Sequence, residues 1–409
     1  MVRISRRQFF QFAGSTLATV GLSQFNLQRQ GDHYGKVLAQ STPRKVALLV
    51  GINQYPEPYA LKGCVNDVEL QRHLLIHRFG FKPNDIHTLT DQQATRQGIL
   101  GAFDEYLIKQ AKPGDVVLFH YSGHGSLVVD PEPIIVSSTT DNSGVNGTFV
   151  PVDSGLPAGY PEQGGIVQDI MGHTLFLLMS AVKSENFTAV LDSCYSGAAK
   201  RNFTIRARAG GRNIQISPDE KAYQQQWLSR LNLSREDFVK GYRAGVAKGS
   251  VLAATNPTQY AIDATVNGFS AGAFTYLLTQ YLWQQTSTPE SAIAYAVENI
   301  PKDFNQTPTY EVKEGSRYET QPIYFIDNPN SAADAVVTEV NGNQVKLWLG
   351  GSDLGRIGNG TAFTIVGARG GSAGRVTLQS REGLVGVATV EGVAQEGMLL
   401  KAQALSTGI

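Results

Sequence analysis

Two side chains in this sequence have the right types and settings for covalent chemistry. Phe119-His120-Tyr121-Ser122-Gly123-His124-Gly125 is an apolar run closed by a Gly/Ser-rich turn, and so is Val190-Leu191-Asp192-Ser193-Cys194-Tyr195-Ser196-Gly197. A thiol is a weak nucleophile until it loses its proton, and an adjacent imidazole is a common acceptor for that proton. In an open parallel sheet, the ends of two strands are where residues distant in sequence meet. His124 and Cys194 at two such ends therefore predict nucleophilic catalysis, with Cys194 attacking a carbonyl and His124 protonating the leaving amine. Glycines beside both residues free backbone N–H groups for a developing oxyanion, and Gly125 and the Cys194 amide are the candidates.

The elements that position this pair are legible as alternating apolar runs and helical patterns over 45–195. Lys45 to Ile52 reads as a buried first strand, followed by a Pro-containing loop and a helix through Val65, Val68, Leu70 and Leu75. Asp85 to Leu89 is a short strand, and Ile99, Phe103 and Leu107 mark a second helix. Asp115 to His120 is the strand leading to His124. A long loop over 126–165 and a helix through Leu175, Leu178 and Val182 come next. Phe187 to Leu191 then leads to Cys194. Residues 198–247 are polar, hold Arg201, Arg206, Arg208, Arg212 and Arg230, and show no obvious strand. Gly249 to Ala254 resumes the sheet, an amphipathic helix follows through Phe274 to Leu282, and Pro322 to Ile326 reads as a final strand. The predicted fold class is α/β, with a mostly parallel central sheet flanked by helices. The short, glycine-punctuated runs of 333–409 predict a small all-β domain at the C-terminal end.

Composition narrows the function classes. The 409 residues hold 35 Lys+Arg and 35 Asp+Glu, so no basic excess points to nucleic acid. No apolar run reaches the roughly 18–20 residues needed to span a bilayer. Cys64 and Cys194 are the two cysteines, and no His-Glu-x-x-His motif occurs, so neither a cysteine-based zinc site nor a cofactor is expected. Residues 1–39 read as an export signal, with Ser5-Arg6-Arg7-Gln8-Phe9-Phe10 similar to the twin-arginine signal and Val37-Leu38-Ala39 a small-residue cleavage site. The mature protein is then expected in a periplasm or equivalent lumen.

The segments Tyr121-Ser122-Gly123-His124-Gly125 and Asp192-Ser193-Cys194-Tyr195-Ser196-Gly197 resemble the His and Cys boxes of metacaspases, in particular the bacterial orthocaspases. Leu61-Lys62-Gly63-Cys64-Val65-Asn66-Asp67 and Val251 to Leu278 resemble two further parts of that family, in the same order. The resemblance implies a caspase-like peptidase domain within 40–327 and peptide-bond hydrolysis by a monomer. It also implies a specificity pocket lined by Cys64, Asp67, Ser122 and Asp192. Two carboxylates there suit a guanidinium or ammonium, hence protein substrates cleaved after Arg or Lys; Asp67 equally suits the first turn of a helix. The family often uses calcium bound by several acids. Here Gly147 to Asp153 and Gln168-Asp169-Ile170 carry few, and Arg201 stands where an acid is expected, so calcium dependence is not anticipated. Residues 198–247 offer Arg and Lys sites for self-cleavage. A catalytically silent caspase-like binding protein and a related Cys/His peptide ligase are the rival readings.

Overall fold

The computed structural model describes residues 43–134, 144–194, 204–256, 258–366 and 374–403. The segment read as an export signal, residues 195–197 and Arg201 lie outside the described residues.

The central sheet has six strands: β1 (Lys45–Gly51), β2 (Ile86–Thr90), β3 (Val116–Ser122), β8 (Phe187–Asp192), β11 (Ser250–Ala253) and β14 (Thr309–Val312). They lie in the order β14-β11-β8-β3-β1-β2, all parallel except the edge strand β14. Alternate β1 side chains serve opposite faces, as the pleat requires. Ala47 and Leu49 join Val68, Leu70, Phe274 and Leu278 on one side. Val46, Leu48 and Val50 join Ile99, Phe103, Leu107, Leu177 and Leu178 on the other. With both faces covered, the central strands need continuous apolar runs rather than alternation.

Two smaller sheets sit at the end of the central sheet where β3 and β8 finish. One contains β4 (Gly125–Val129), β5 (Val145–Phe149), β6 (Gly165–Val167), β7 (Ile170–Met171) and β10 (Ile214–Ile216). The other contains β9 (Thr204–Ile205), β12 (Ile262–Val266) and β13 (Phe269–Gly272). The expected long loop over 126–165 thus carries parts of three strands, which are short and polar enough to escape a periodicity reading. The polar stretch 198–247 likewise contains β9, β10 and the helices Pro218–Leu231 and Arg235–Arg243. Of their apolar residues, Trp227, Leu228 and Phe238 are buried in the core on one side of the central sheet and Ile214 and Ile216 in a smaller cluster.

Pro322 to Ile326 is not the final strand. Tyr324 and Phe325 adopt φ of 57° and 55°, a left-handed turn that no strand accommodates, and the sheet edge is taken by β14. An apolar pentapeptide buried in a turn carries the same hydropathy as a strand, so the two were indistinguishable in sequence.

The C-terminal β domain is a closed barrel of β15 (Ala335–Asn341), β16 (Gln344–Trp348), β17 (Ala362–Ile365), β18 (Arg375–Glu382), β19 (Val385–Glu391) and β20 (Leu399–Ala402). Its core runs into that of the central sheet through Trp283, Leu282, Leu347 and Leu349. The Gln284 amide donates to Ala333 O at 2.9 Å, Asp334 Oδ1 at 2.8 Å and Gly351 O at 2.8 Å, fixing the barrel to the helix Ala273–Gln284. No described helix is long and apolar enough to cross a membrane.

Candidate active site

β3 and β8 end in register, with Ser122 opposite Asp192. The chain turns at Gly123, whose N–H donates to Asp192 O at 3.3 Å, and enters β4 at Gly125. A Cβ at Gly125 would lie 2.3 Å from Cys194 O. Only glycine lets the two strand ends approach this closely, so the residue type after His124 brings the His and Cys turns together.

His124 is 2% exposed. Its Nε2 lies 2.6 Å from the Tyr59 carbonyl in the loop after β1. A carbonyl only accepts, so Nε2 carries the proton and Nδ1 keeps the lone pair. Nδ1 is buried without a protein hydrogen-bond partner. The Tyr55 ring packs against the imidazole at 4.5 Å between centroids. The Tyr55 hydroxyl accepts from His124 N–H at 3.1 Å, and that of Tyr121 donates to His124 O at 2.8 Å. The two phenols fix the turn from both sides.

Cys194 is fully buried. Burial pushes its thiol up to about 12; Asp192 adds to the rise, and the Ala261 backbone N–H and Arg206 oppose it. Burial lowers His124 to about 4, helped by the Arg208 and Arg206 cations and opposed by the Tyr59 carbonyl. At neutral pH both groups are therefore uncharged in this state, a thiol and a neutral imidazole.

The cleft above them is filled by the chain itself. Residues 204–208 run through it extended. Thr204 and Ile205 pair antiparallel with Asp263 and Ile262 of β12, and Ala207 bridges in parallel to Gly125. Arg206 N–H donates to Ala261 O at 2.9 Å. The Arg206 carbonyl accepts from Gly125 N–H at 3.0 Å and from Cys194 N–H at 3.2 Å. These are the two amides singled out in the sequence as oxyanion donors.

The Arg206 side chain, 0% exposed, enters the pocket expected from sequence. Its Nη1 lies 2.7 Å from Asp67 Oδ2, 2.6 Å from Ser122 Oγ and 3.2 Å from Asp192 Oδ1, the last an ion pair without hydrogen-bond alignment. Its Nη2 donates to Asp263 Oδ1 at 2.8 Å. Each carboxylate is itself anchored. Asp67 accepts from Gly272 N–H at 2.9 Å and from Ser122 Oγ at 2.6 Å. Asp192 accepts from the Thr275 N–H at 3.0 Å and hydroxyl at 2.6 Å. Asp263 accepts from Lys62 N–H at 2.8 Å and Gly63 N–H at 3.0 Å. Burial pushes Asp67 up to about 7 although Arg206 pulls the other way, because Asp192 adds like charge. Cys64 opens the helix Cys64–His73, and burial holds its thiol well above the usual range.

Cys64, Asp67, Ser122 and Asp192 thus converge around one guanidinium, at the ends of three different elements. Asp67 occupies both settings open to it in sequence, the first turn of a helix and the pocket. Sequence reasoning missed Asp263, which lies in no motif and arrives by the β12–β13 hairpin. It named Arg206 only as one of several arginines. The spacing of Arg206 and Arg208 at i and i+2, on one side of an extended segment, was the available signal.

A parallel α/β sheet with a Cys and a His at adjacent strand ends is the arrangement of a cysteine-type peptidase domain. Residues 45–201 match the family model of the metacaspase, peptidase C14 domain. Metacaspase-1 of Scheffersomyces stipitis is 35% identical over 42% of this chain and 40% of its own length. That of Schizosaccharomyces pombe is 29% identical over 65% of this chain and 57% of its own. That of Lodderomyces elongisporus is 36% identical over 53% and 46%. The chain thus spans about half the length of these relatives. Among solved structures, a protein of Geobacter sulfurreducens aligns at TM-score 0.47 and 21% identity, covering 70% of this chain and 100% of its own. Caspase-1 from Spodoptera frugiperda aligns at TM-score 0.36 and 10% identity, over 66% and 87%.

Proposed function

We propose that this protein is an endopeptidase that hydrolyses the peptide bond after arginine, and more slowly after lysine, with Cys194 as nucleophile and His124 as acid and base. The observation that carries this reading is the seating of Arg206. Its guanidinium lies among Asp67, Asp192 and Asp263 while its carbonyl accepts from the amides of Gly125 and Cys194. The chain's own Arg206–Ala207 bond is its first substrate.

In the first step Cys194 Sγ bonds to the Arg206 carbonyl carbon as the thiol proton passes to His124 Nδ1. The carbonyl oxygen becomes an oxyanion held by the Gly125 and Cys194 N–H groups. The C–N bond then breaks, and His124 returns the proton to the Ala207 nitrogen. Water attacks the resulting thioester and gives a proton to His124, and the thiol leaves with that proton.

Preference for arginine over lysine follows from the two directions of approach. Asp67, Ser122 and Asp192 face Nη1, whereas Asp263 faces Nη2. An ammonium offers one nitrogen and serves one of these sets, while a planar guanidinium serves both. Calcium is not required in this reading. The one acid of Gln168-Asp169-Ile170 already binds the Arg208 guanidinium through both oxygens, at 2.6 and 2.7 Å.

The test is hydrolysis of peptide reporters ending in Arg, Lys or Asp, with calcium and with a chelator. The Arg reporter is expected to exceed Lys by about tenfold or more in kcat/KM, with no calcium effect. Asp263→Asn is expected to narrow that gap by slowing Arg more than Lys. Cleavage of the Asp reporter alone, or of none by folded protein, refutes the assignment.

Export by the twin-arginine route is part of the same proposal, resting on Ser5 to Phe10. Changing Arg6 and Arg7 to lysine is expected to hold the precursor in the cytoplasm; unchanged secretion would exclude that route.

A further inference from the structure

Two residues beyond the bond presented to Cys194, a second guanidinium is held as closely as the first. Arg208 is 2% exposed, and its N–H donates to Gly125 O at 2.9 Å. Its Nη2 donates to both oxygens of Asp169, its Nη1 to Ser154 Oγ at 3.2 Å, and its guanidinium carbon lies 5.5 Å from the Tyr160 ring centre. Asp169 is fully buried and accepts further from Thr148 Oγ1 at 2.7 Å and Ser154 Oγ at 2.6 Å. One guanidinium nitrogen meets both carboxylate oxygens, a second meets the serine hydroxyl and an aromatic face lies beside the group, so two separate nitrogens are used as arginine supplies and an ammonium does not.

We propose that Asp169, Ser154 and Tyr160 form a second cation subsite, on the leaving-group side, that takes an arginine two residues after the scissile bond. The substrates are then Arg-Xaa-Arg segments of proteins rather than any chain with an accessible arginine. This deepens the peptidase reading and rests on Arg206–Ala207 being the bond presented. Neither pocket is made by local sequence. Asp169 precedes β7 and the acids of the first pocket come from three other elements, yet one short extended segment reaches both.

The two pockets also explain how the cleft passes from self to other substrates. While the bond is intact, Arg206 and Arg208 hold the segment as a two-point ligand, each raising the effective concentration of the other. Cleavage separates them, and each half is then held at one point. An intact Arg-Xaa-Arg substrate binds at two points and outcompetes either half.

The test compares two quenched-fluorescence peptides identical except for Arg-Ala-Arg or Arg-Ala-Gln at the cleavage site, using the full chain after it has cut itself. The Arg-Ala-Arg peptide is expected to show about tenfold higher kcat/KM, and Asp169→Asn to bring the ratio close to one. Equal kcat/KM for the two peptides in the unmodified chain overturns the subsite. So does an Asp169→Asn protein that loses stability while keeping the ratio, since that marks a purely structural ion pair. Fluorescence anisotropy of the same peptides, labelled and bound to Cys194→Ala protein that also carries Arg206→Gln and Arg208→Gln to release its own segment from the cleft, reads the preference without turnover. Tighter binding of Arg-Ala-Arg with no hydrolysis by the active chain would retain the subsite and refute the peptidase reading. Equal binding overturns the subsite whatever the activity.

Discussion

Cys194→Ala protein is expected to remain a single chain across Arg206–Ala207, and to lose about ten-thousand-fold or more of the hydrolysis of Arg peptides. Mass spectrometry of the purified proteins checks the first part: two fragments meeting at Arg206 and Ala207 for the unmodified chain, one intact mass for the variant. The variant keeps the oxyanion donors and the pocket, so the loss isolates bond formation by the thiol. Cutting of the variant at the same bond would assign the cleavage to another agent. The pH dependence of self-cleavage follows from the buried pair. The step needs a neutral imidazole, present above about 4, and a thiol to supply the proton, present below about 12. The rate is therefore expected to rise through about pH 4 and stay level across the neutral range. A bell centred between pH 6 and 7 would show instead that solvent already reaches the pair before the first cut.

Arg206→Gln has the second large effect, and it acts on stability. The substitution leaves Asp67, Asp192 and Asp263 without the cation that all three share. Removing one partner of a buried ion pair costs about 3–5 kcal/mol, because the remaining charge is neither hydrated nor paired. Compared by denaturant unfolding, both proteins carrying Cys194→Ala to prevent cutting, the variant is expected to be less stable by about that amount at pH 8. The sign of its pH dependence follows from burial. A buried carboxyl without its cation has a folded pKa above its unfolded value, so protonation favours the folded state. The deficit is thus largest at pH 8 and shrinks as the pH falls toward 4. A difference within about 1 kcal/mol at pH 8 would mean that the segment leaves the cleft readily and the acids are already hydrated.

Much of this was legible because apolar runs are local. Val46 to Val50, Val116 to Tyr121 and Phe187 to Leu191 must be buried on both faces, and that alone predicts parallel strands between helical layers. The residue types after β3 and β8 then place His124 and Cys194 at one end of the sheet. The same logic failed where locality fails. Pro322 to Ile326 is apolar because it is buried, not because it is extended, and its φ values are invisible to hydropathy. The helices of 218–243 carry little signal in a polar stretch because they bury only a few residues against a core built elsewhere.

The sequence by itself put His124 and Cys194 at strand ends and pointed to the layered α/β class, and its resemblance to metacaspases singled out Cys64, Asp67, Ser122 and Asp192. Each is tied to a strand end or a helix start by its neighbours in the chain. Only the tertiary structure decided what fills the site. Asp263 comes from a hairpin, Asp169 from a separate small sheet, and Arg206 and Arg208 from a polar segment whose alternation is too short to read. Their pairing is enforced by burial: four carboxylates removed from water require cations within reach, and which arginines supply them depends on the path of the folded chain.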